Sequence, residues 1–157
     1  MNKIQKYTKD AKKVIDSIQY IDLATITKNG RPWNSPLWFK RDKDYNFYFG
    51  SPKNTQHTKN IRANGRGFVV IYDSRAPEGT GFGVYMTVRV KELTEPMELK
   101  KAIKLLFAND KLKRVPEDFL SKSPLRLYKV IPSKVWVNDS EMKNGLYIDY
   151  RIEIKLK

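Results

Sequence analysis

The 157-residue sequence contains no cysteine and only one histidine, His57. Zinc centres, iron–sulfur clusters and thiol nucleophiles draw on these two residue types, so we expect no metal site. No window approaches the roughly 20 consecutive apolar residues of a membrane-spanning helix. The charged N-terminal run also lacks the apolar region of a signal peptide. These absences favour a cytoplasmic protein that does not interact with a membrane.

Acidic residues are scarce relative to basic ones, 17 against 31, which gives a formal net charge of +14. Such a charge favours an anionic partner: nucleic acid, a lipid surface or a phosphorylated small molecule. The 22 lysines outnumber the 9 arginines and are scattered along the chain. Phosphate and base recognition favours the forked guanidinium of arginine, so nucleic acid is disfavoured and a solvated lysine surface stays open as an explanation.

The hydrophobic pattern predicts short antiparallel strands with helices at a few corners. Apolar residues at helical spacing predict an amphipathic helix over residues 3–19, a second helix from Pro96 to Asp110, and a short one beginning at Pro116. Alternating β-formers between turn signals predict seven strands: "YIDLATIT", "WNSPLWFK", "NFYFG", "GFVVIY", "FGVYMTVRVKELT", "LRLYKVIPSKVWVND" and "LYIDYRIEIKL". We therefore expect one domain over residues 1–157, of the α+β class but mainly β, built as an antiparallel β-barrel.

One stretch, from Phe47 to Tyr72, contains five basic or histidine side chains and no carboxylate. Ser51 followed by Pro52 is typical of a helix start, and Asn64 with Gly65 is typical of a helix end, so we predict a helix of about three turns between them. Its free N–H groups, together with donors on Ser51, Lys53, Thr55 and His57, suit a phosphate group. The alternative is a surface helix whose lysines are simply solvated.

Other motifs are weaker. "GTGFG" (Gly79 to Gly83) lacks the lysine and hydroxyl residue of a phosphate-binding P-loop and is expected to be an ordinary loop. No "G-x-S-x-G" elbow accompanies His57, so a catalytic triad is disfavoured. Trp33, Trp38 and Trp136 suit base stacking, but they lie within predicted strands, where packing in the core is the commoner use.

The order of these parts resembles the pyridoxamine 5'-phosphate oxidase-like family. The resemblance runs from about Ile21 to Thr94 and resumes weakly at "KVWVNDS" and "DYRIEI". It implies an FMN-binding split β-barrel and a homodimer with the flavins at its interface. Residue by residue, it implies two groups of cofactor contacts. The strand beside the flavin ring matches Asn34, Ser35, Pro36, Leu37, Trp38 and Phe39; the phosphate-binding turn and helix match Gly50, Ser51, Gln56, His57 and Lys59. Trp136 and Arg151 match positions that reach FMN from the partner subunit.

The sequence also departs from the family pattern. Gln56 and His57 stand where many oxidases have basic cofactor ligands, and Gly83 stands where a glutamine often contacts the ring. Tyr147 and Asp149 replace the arginine and histidine that hold the vitamer substrate, so vitamer oxidation is not implied. The sequence therefore predicts an FMN-dependent oxidoreductase that moves electrons from a reduced nicotinamide or similar donor to a small-molecule acceptor. The alternatives are a non-catalytic binder of flavin, haem or nucleic acid, or an enzyme in which a deazaflavin or haem replaces FMN.

Overall fold

The computed structural model describes residues 2–157, which form a mainly antiparallel β structure of the α+β class, as predicted. The helices are α1 (Lys3–Ser17), α2 (Gln56–Asn64), α3 (Pro96–Leu106) and a 3₁₀ turn (Pro116–Phe119). The strands are β1 (Tyr20–Ile26), β2 (Pro32–Trp38), β3 (Lys40–Arg41), β4 (Phe47–Pro52), β5 (Arg66–Tyr72), β6 (Gly83–Glu92), β7 (Leu125–Lys143) and β8 (Leu146–Ile154). None of the helices within residues 2–157 has the length and apolarity needed to cross a membrane.

Helix α1 begins at a reciprocal cap, in which Asn2 and Gln5 each accept the other's backbone N–H. Its inner face buries Ala11 and Ile15 in the main core. At its N-terminal end, the hydroxyl of Tyr7 donates to Asp139 on β7 over 2.6 Å. The apolar periodicity of residues 3–19 therefore produces the predicted helix, and β7 holds its beginning in place.

All strands pair antiparallel in the order β2-β1-β5-β6-β7-β4-β3, and β8 pairs with the far half of β7. Strands β2 and β3 form one extended run that is interrupted only at Phe39. The first part of this run pairs with β1, whereas Lys40 and Arg41 pair with β4. The run therefore crosses from one margin of the sheet to the other and closes the barrel at one end. Within residues 2–157, no ladder joins β2 to β4 ahead of this crossing, and we call this opening the seam.

Two apolar clusters lie on opposite sides of β4, because successive side chains of a strand point to opposite faces. Phe47 and Phe49 point into the barrel, where Phe49 stacks on Tyr128 with ring centroids 4.9 Å apart. Tyr48 points outward and packs under α3 with Leu99. Helix α3 therefore covers the outer face of β4 at Tyr48.

Asp42 fixes the turn between β3 and β4 to helix α3. This buried carboxylate accepts hydrogen bonds from Lys101 Nζ at 2.6 Å, from the Tyr48 hydroxyl at 3.1 Å and from the backbone N–H of Asn46 at 3.0 Å. Burial by itself raises the pKa of Asp42, but the hydrogen bonds from Lys101, Asn46 and Tyr48 outweigh it and hold that pKa well below its usual range. Asp42 is therefore an ionised, fully bonded anchor.

Two sequence predictions were wrong in detail. Ser51 and Pro52 do not start a helix: they extend β4, where they pair with Arg126 and Leu125 of β7, and α2 begins only at Gln56. The tryptophans of β2 are also not core residues, since Trp33 is 47% exposed and Trp38 is 37% exposed. The predicted helix end was right, because Gly65 takes the left-handed conformation (φ 63°) that terminates α2.

Candidate functional site

The imidazole of His57, near the start of α2, closes the seam. Its Nδ1 lies 3.3 Å from Ser35 Oγ on β2, and its Nε2 lies 2.8 Å from Ser51 Oγ on β4 and 3.1 Å from Thr55 Oγ1. The side chain is 8% exposed, and burial lowers the pKa of His57, which favours the neutral ring. One neutral histidine therefore joins the two margins of the barrel that no strand ladder joins.

This arrangement changes the role expected of His57 and Ser51. The sequence predicted both side chains as donors to a phosphate, but in this chain each already bonds the other. A neutral imidazole has one donor and one acceptor nitrogen, and hydroxyl groups occupy both. The two residues consequently hold the start of α2 in shape across the seam.

A second polar chain fixes α2 to β1 and β2. Gln56 donates its amide to Asn60 over 2.8 Å, Asn60 donates to Thr25 over 2.9 Å, and the Thr25 hydroxyl donates to the carbonyl of Trp33 over 3.3 Å. Asn60 and Thr25 are almost fully buried. Neither residue was predicted from the sequence, although a polar threonine in the inward positions of "YIDLATIT", after Ile21 and Leu23, was a usable signal.

The first turn of α2 has the properties of an anion site. Thr55 occupies the N-cap position without a side-chain cap hydrogen bond, and no acidic residue lies in the first turn. Lys59 is exposed and makes no ion pair within residues 2–157, whereas Arg62 pairs with Glu92 at 3.1 Å. Free N–H groups at a helix start attract negative charge, and a nearby uncompensated lysine adds to that attraction.

Strand β2 divides its candidate residues between two faces. Asn34, Pro36 and Trp38 are exposed on the outer face, while Ser35, Leu37 and Phe39 point inward and are buried. Leu37 and Phe39 belong to the main core, so their side chains are not available to a ligand and only their backbone atoms are. Because β2 is a terminal strand, one edge of its backbone is free of the ladder, which also explains why Pro36 is tolerated there.

Gly50 lies on the outer face of β4, next to Ser51. A Cβ atom at this position would lie 3.3 Å from Leu127 Cδ2, which is closer than ordinary packing allows without movement of that leucine. The backbone of β4 is therefore directly accessible at Gly50, where the cover provided by α3 ends.

Trp136 and Arg151 lie together on the outer face of β5 to β8. Trp136 stacks on Phe68 at 6.4 Å between ring centroids, and the guanidinium of Arg151 lies 4.1 Å from the ring centroid of Tyr85 and 5.7 Å from that of Phe68. Their aromatic neighbours come from β5 and β6, so within one chain they form a cluster separate from the residues of the seam.

The other positions that depart from the family pattern, Gly83, Tyr147 and Asp149, lie elsewhere. Gly83 is buried at the start of β6, where its N–H donates to Asn138 Oδ1 over 2.6 Å. Tyr147 and Asp149 are exposed on the outer part of the β7–β8 hairpin. Neither of them is part of the seam.

A search with protein-family profiles matches residues 7–138 to the family described as pyridoxamine 5'-phosphate oxidase. Among curated proteins, none matches this chain. Solved structures with the same fold include a heme binding protein from Mycobacterium smegmatis (TM-score 0.65, 15% identity) and ChuZ from Campylobacter jejuni (TM-score 0.69, 15% identity). An F420 reductase is also similar, with a TM-score of 0.53 and 21% identity. At these identities the likeness shows the fold alone.

The coverage of these matches is unequal. The match to the mycobacterial protein includes 92% of this chain but only 57% of that protein. The match to ChuZ includes 96% of this chain and 61% of ChuZ. For the F420 reductase the shares are 74% of this chain and 88% of that protein. This chain therefore spans less than two thirds of the two longer proteins.

Proposed function

Because this chain belongs to the pyridoxamine 5'-phosphate oxidase family, we propose that it binds FMN along the seam and acts as an oxidoreductase. In this proposal it passes electrons from a reduced nicotinamide donor to a small acceptor. The observation that carries the proposal is the start of α2, which combines an uncapped first turn with an unpaired lysine and no acidic residue. That site suits the terminal phosphate of FMN better than it suits a neutral ligand.

The residues present fit a flavin in two parts. The N–H groups at the start of α2 and the Lys59 ammonium would hold the phosphate, while His57, Ser51 and Thr55 keep this segment fixed between β2 and β4. The free edge of β2, with the outer side chains of Asn34, Pro36 and Trp38, would hold the ring. Because hydrogen bonds to charged groups are each worth about 1.5–3 kcal/mol, a few such bonds suffice for stable phosphate binding.

When bound, the flavin supplies the redox chemistry, and the protein supplies orientation and electrostatics. The buried Asn60–Thr25 chain and the His57 bridge keep the two halves of the site at a fixed separation. Preorganised donors of this kind bind a ligand without first paying the entropy of ordering the loop.

We propose that a second copy of the chain completes the site. The cluster of Phe68, Tyr85, Trp136 and Arg151 presents aromatic surface and one guanidinium on the outer face of the sheet. Aromatic residues and arginine are enriched at interfaces between proteins, so this face suits contact with the partner and with the partner's flavin.

The substrate in this proposal is not a pyridoxamine 5'-phosphate vitamer. Tyr147 and Asp149 replace the basic residues that would hold its phosphate, and Asp149 is an exposed carboxylate. A carboxylate repels a phosphorylated ligand rather than binding it.

Haem is disfavoured as the cofactor by the environment of the one histidine. His57 is buried and both of its ring nitrogens are hydrogen-bonded to hydroxyl groups, so it is not presented as an axial ligand. Because the heme binding protein from Mycobacterium smegmatis has the same fold, haem binding is tested directly below.

The purified protein provides the test. We expect a yellow protein whose cofactor, released by heat, has the mass of FMN, and whose flavin absorbance bleaches with NADH or NADPH and returns with a quinone or nitroaromatic acceptor. A Soret band would indicate haem. If the released cofactor has the mass of a deazaflavin, then that cofactor is bound in place of FMN. A colourless protein with steeply salt-dependent binding to arbitrary DNA would favour a nucleic-acid binder. Rapid bleaching with pyridoxine 5'-phosphate, without bleaching by a nicotinamide, would restore vitamer oxidation.

A further inference from the structure

A cavity of about 250 Å³ opens on the outer surface beside the seam, at the end of α3. It is lined by residues from both margins of the barrel, from the end of α3 and the segment that follows it, and from the start of β7: Trp38, Gly50, Leu106, Phe107, Phe119 and Leu125. Trp38 and Gly50 belong to the two strands that border the seam. The cavity therefore adjoins the outer faces of β2 and β4, where the proposed flavin site lies.

The walls of this cavity are apolar and largely aromatic. Phe107 and Phe119 stack with their ring centroids 5.6 Å apart and their planes at 24°, and Trp38 also lines the cavity. Gly50 adds only backbone. Flat aromatic groups pack well in such a space, since ring–ring contacts add to the gain from burying apolar area.

Two cations lie over the aromatic walls. Lys40 Nζ is 5.1 Å from the centroid of the Trp38 ring, and the guanidinium of Arg114 is 5.5 Å from that of Phe107. Lys40 makes no ion pair within the described part of the chain, residues 2–157.

Two of the acidic groups near the cavity wall in sequence already have partners. Asp110 pairs with Arg114 at 3.1 Å, and Asp118 accepts the backbone N–H of Val115 over 3.0 Å. Glu117, two residues before Phe119, makes no ion pair within residues 2–157, so the positive charge beside the cavity is that of Lys40 next to Trp38 and not a net charge of the whole rim.

We propose that this cavity binds the ring of a planar aromatic anion, with an aryl carboxylate as the simplest member of the class. The apolar walls take the ring, and the cations at the rim take the carboxylate. The inference rests on the proposed function in one respect: the ligand is the substrate of this flavoprotein only if FMN lies along β2, next to Trp38. Binding of the ring itself depends on the cavity alone.

The test measures binding of 4-nitrobenzoate to the full-length protein by equilibrium dialysis, and by quenching of tryptophan fluorescence. We expect saturable binding in both, and we expect Trp38→Phe to lose most of the quenching while retaining binding by dialysis. Leu125→Phe fills the cavity from an exposed position, which leaves the core intact, and should weaken binding at least about tenfold. Lys40→Gln should weaken the binding of 4-nitrobenzoate several-fold but leave the binding of neutral nitrobenzene unchanged. Lys100→Gln, on the exposed side of α3, is the matched control and should change neither.

Unsaturable binding, or unchanged affinity in Leu125→Phe, would overturn the proposal. Equal effects of Lys40→Gln on the charged and neutral ligands would overturn the proposed preference for an anion.

A separate FMN titration distinguishes this proposal from the proposed function. If bound FMN abolishes 4-nitrobenzoate binding, the cavity belongs to the cofactor and only the substrate-site inference fails. If 4-nitrobenzoate binds and no flavin does, the cavity is confirmed as a binding site and the flavoprotein function is wrong.

Discussion

Ser51 Oγ lies 2.8 Å from Nε2 of His57, a hydrogen bond that joins the end of β4 to the first turn of α2. On the other side of the same ring, Ser35 completes the connection to β2. Side chains thus make the link that a strand ladder makes elsewhere in the barrel.

Replacement of His57 should destabilise the fold through this link. His57→Leu keeps an apolar body of similar size but leaves the hydroxyls of Ser35, Ser51 and Thr55 without their partner, so we expect a loss of about 2–3 kcal/mol in the free energy of unfolding. Ser51→Ala alone should cost about 1 kcal/mol. Urea unfolding of both single variants and the double variant measures the coupling, with the exposed Ser74→Ala as a control. Strictly additive losses would show that the seam does not depend on this contact.

The free energy of unfolding should also decrease as the pH is lowered, because of His57. Burial lowers its pKa in the folded state below the ordinary value of 6.5, so between these two pKa values the unfolded chain binds more protons than the folded one. The contribution is fully present above about pH 6.5 and declines as the pH falls, by at most roughly 1.4 kcal/mol per pH unit, until the folded pKa is reached. Denaturant titrations from pH 8 to 5 should show this decline in the parent protein and a flatter profile in His57→Leu. Identical profiles would contradict a buried neutral imidazole.

Lys59 should contribute to binding of the phosphate of FMN and not of its ring. Lys59→Ala removes the unpaired ammonium of α2, and we expect about tenfold weaker FMN binding, with riboflavin, which lacks the phosphate, almost unaffected. Lys53→Ala should have a smaller effect, because Lys53 precedes the first turn of the helix. Flavin fluorescence titrations provide the affinities, and Lys9→Ala on α1 serves as the control for net charge. Equal losses for both ligands would remove the phosphate role.

Asp42 should be more important for stability than its partner Lys101. Asp42→Asn withdraws the charge from a buried site with several donors, and we expect a loss of about 2–4 kcal/mol. Lys101→Met should cost about 1 kcal/mol or less, because half of the lysine side chain is exposed. Thermal or urea unfolding measures both, and similar losses for the two variants would argue against this difference.

The same carboxylate predicts part of the acid sensitivity. Since the folded pKa of Asp42 is held below its ordinary value of 3.8, its contribution is present above about pH 4 and is lost as the pH falls further. Asp42→Asn should therefore lose less stability than the parent protein below pH 4.

Assembly should depend on the aromatic face of β5 to β8. We expect a dimer of about twice the 18.4 kDa chain mass, because Phe68, Tyr85 and Trp136 leave aromatic surface on a single subunit. Arg151→Glu should shift the protein toward monomer, whereas Lys155→Glu, the same charge change just after β8, should not. Light scattering at micromolar concentration decides, and a parent monomer that still binds flavin would contradict a shared site.

The sequence predicted the elements better than their ends. The apolar spacing of α1 and α3 and the alternation in β6 identified these segments, because each buries one regular face. Ser51 and Pro52 were misassigned since the local preference of Ser-Pro for a helix start is weaker than the ladder that β4 makes with Arg126 and Leu125. That ladder depends on a strand more than 70 residues away, which no local pattern contains.

The residue types of the candidate site could be predicted from the sequence, but the hydrogen bonds between them could not. The absence of carboxylates between Phe47 and Tyr72 correctly identified a basic segment, but not that His57 would be turned inward between Ser35 and Ser51. For β2, the apolar residues Trp33, Leu37, Trp38 and Phe39 occur on both parities of the strand, so alternation could not decide which of Leu37 and Trp38 points inward. Register against β1, with Leu37 opposite Ile21, places Leu37 inside and Trp38 outside.

The continuous run from Pro32 to Arg41 also limits how this gene can change in length. Because β2 and β3 pair with different strands and are separated only by Phe39, one inserted or deleted residue there would reverse the facing of one strand relative to the other. Trp38 would then compete with Leu37 for the interior. The tip of the β7–β8 hairpin at Asn144 and Gly145 has no such coupling, since it is exposed and lies beyond the last pair of its ladder, Lys143 with Leu146. Insertions and deletions among descendants of this sequence should therefore accumulate at that tip and be almost absent from the crossing strand.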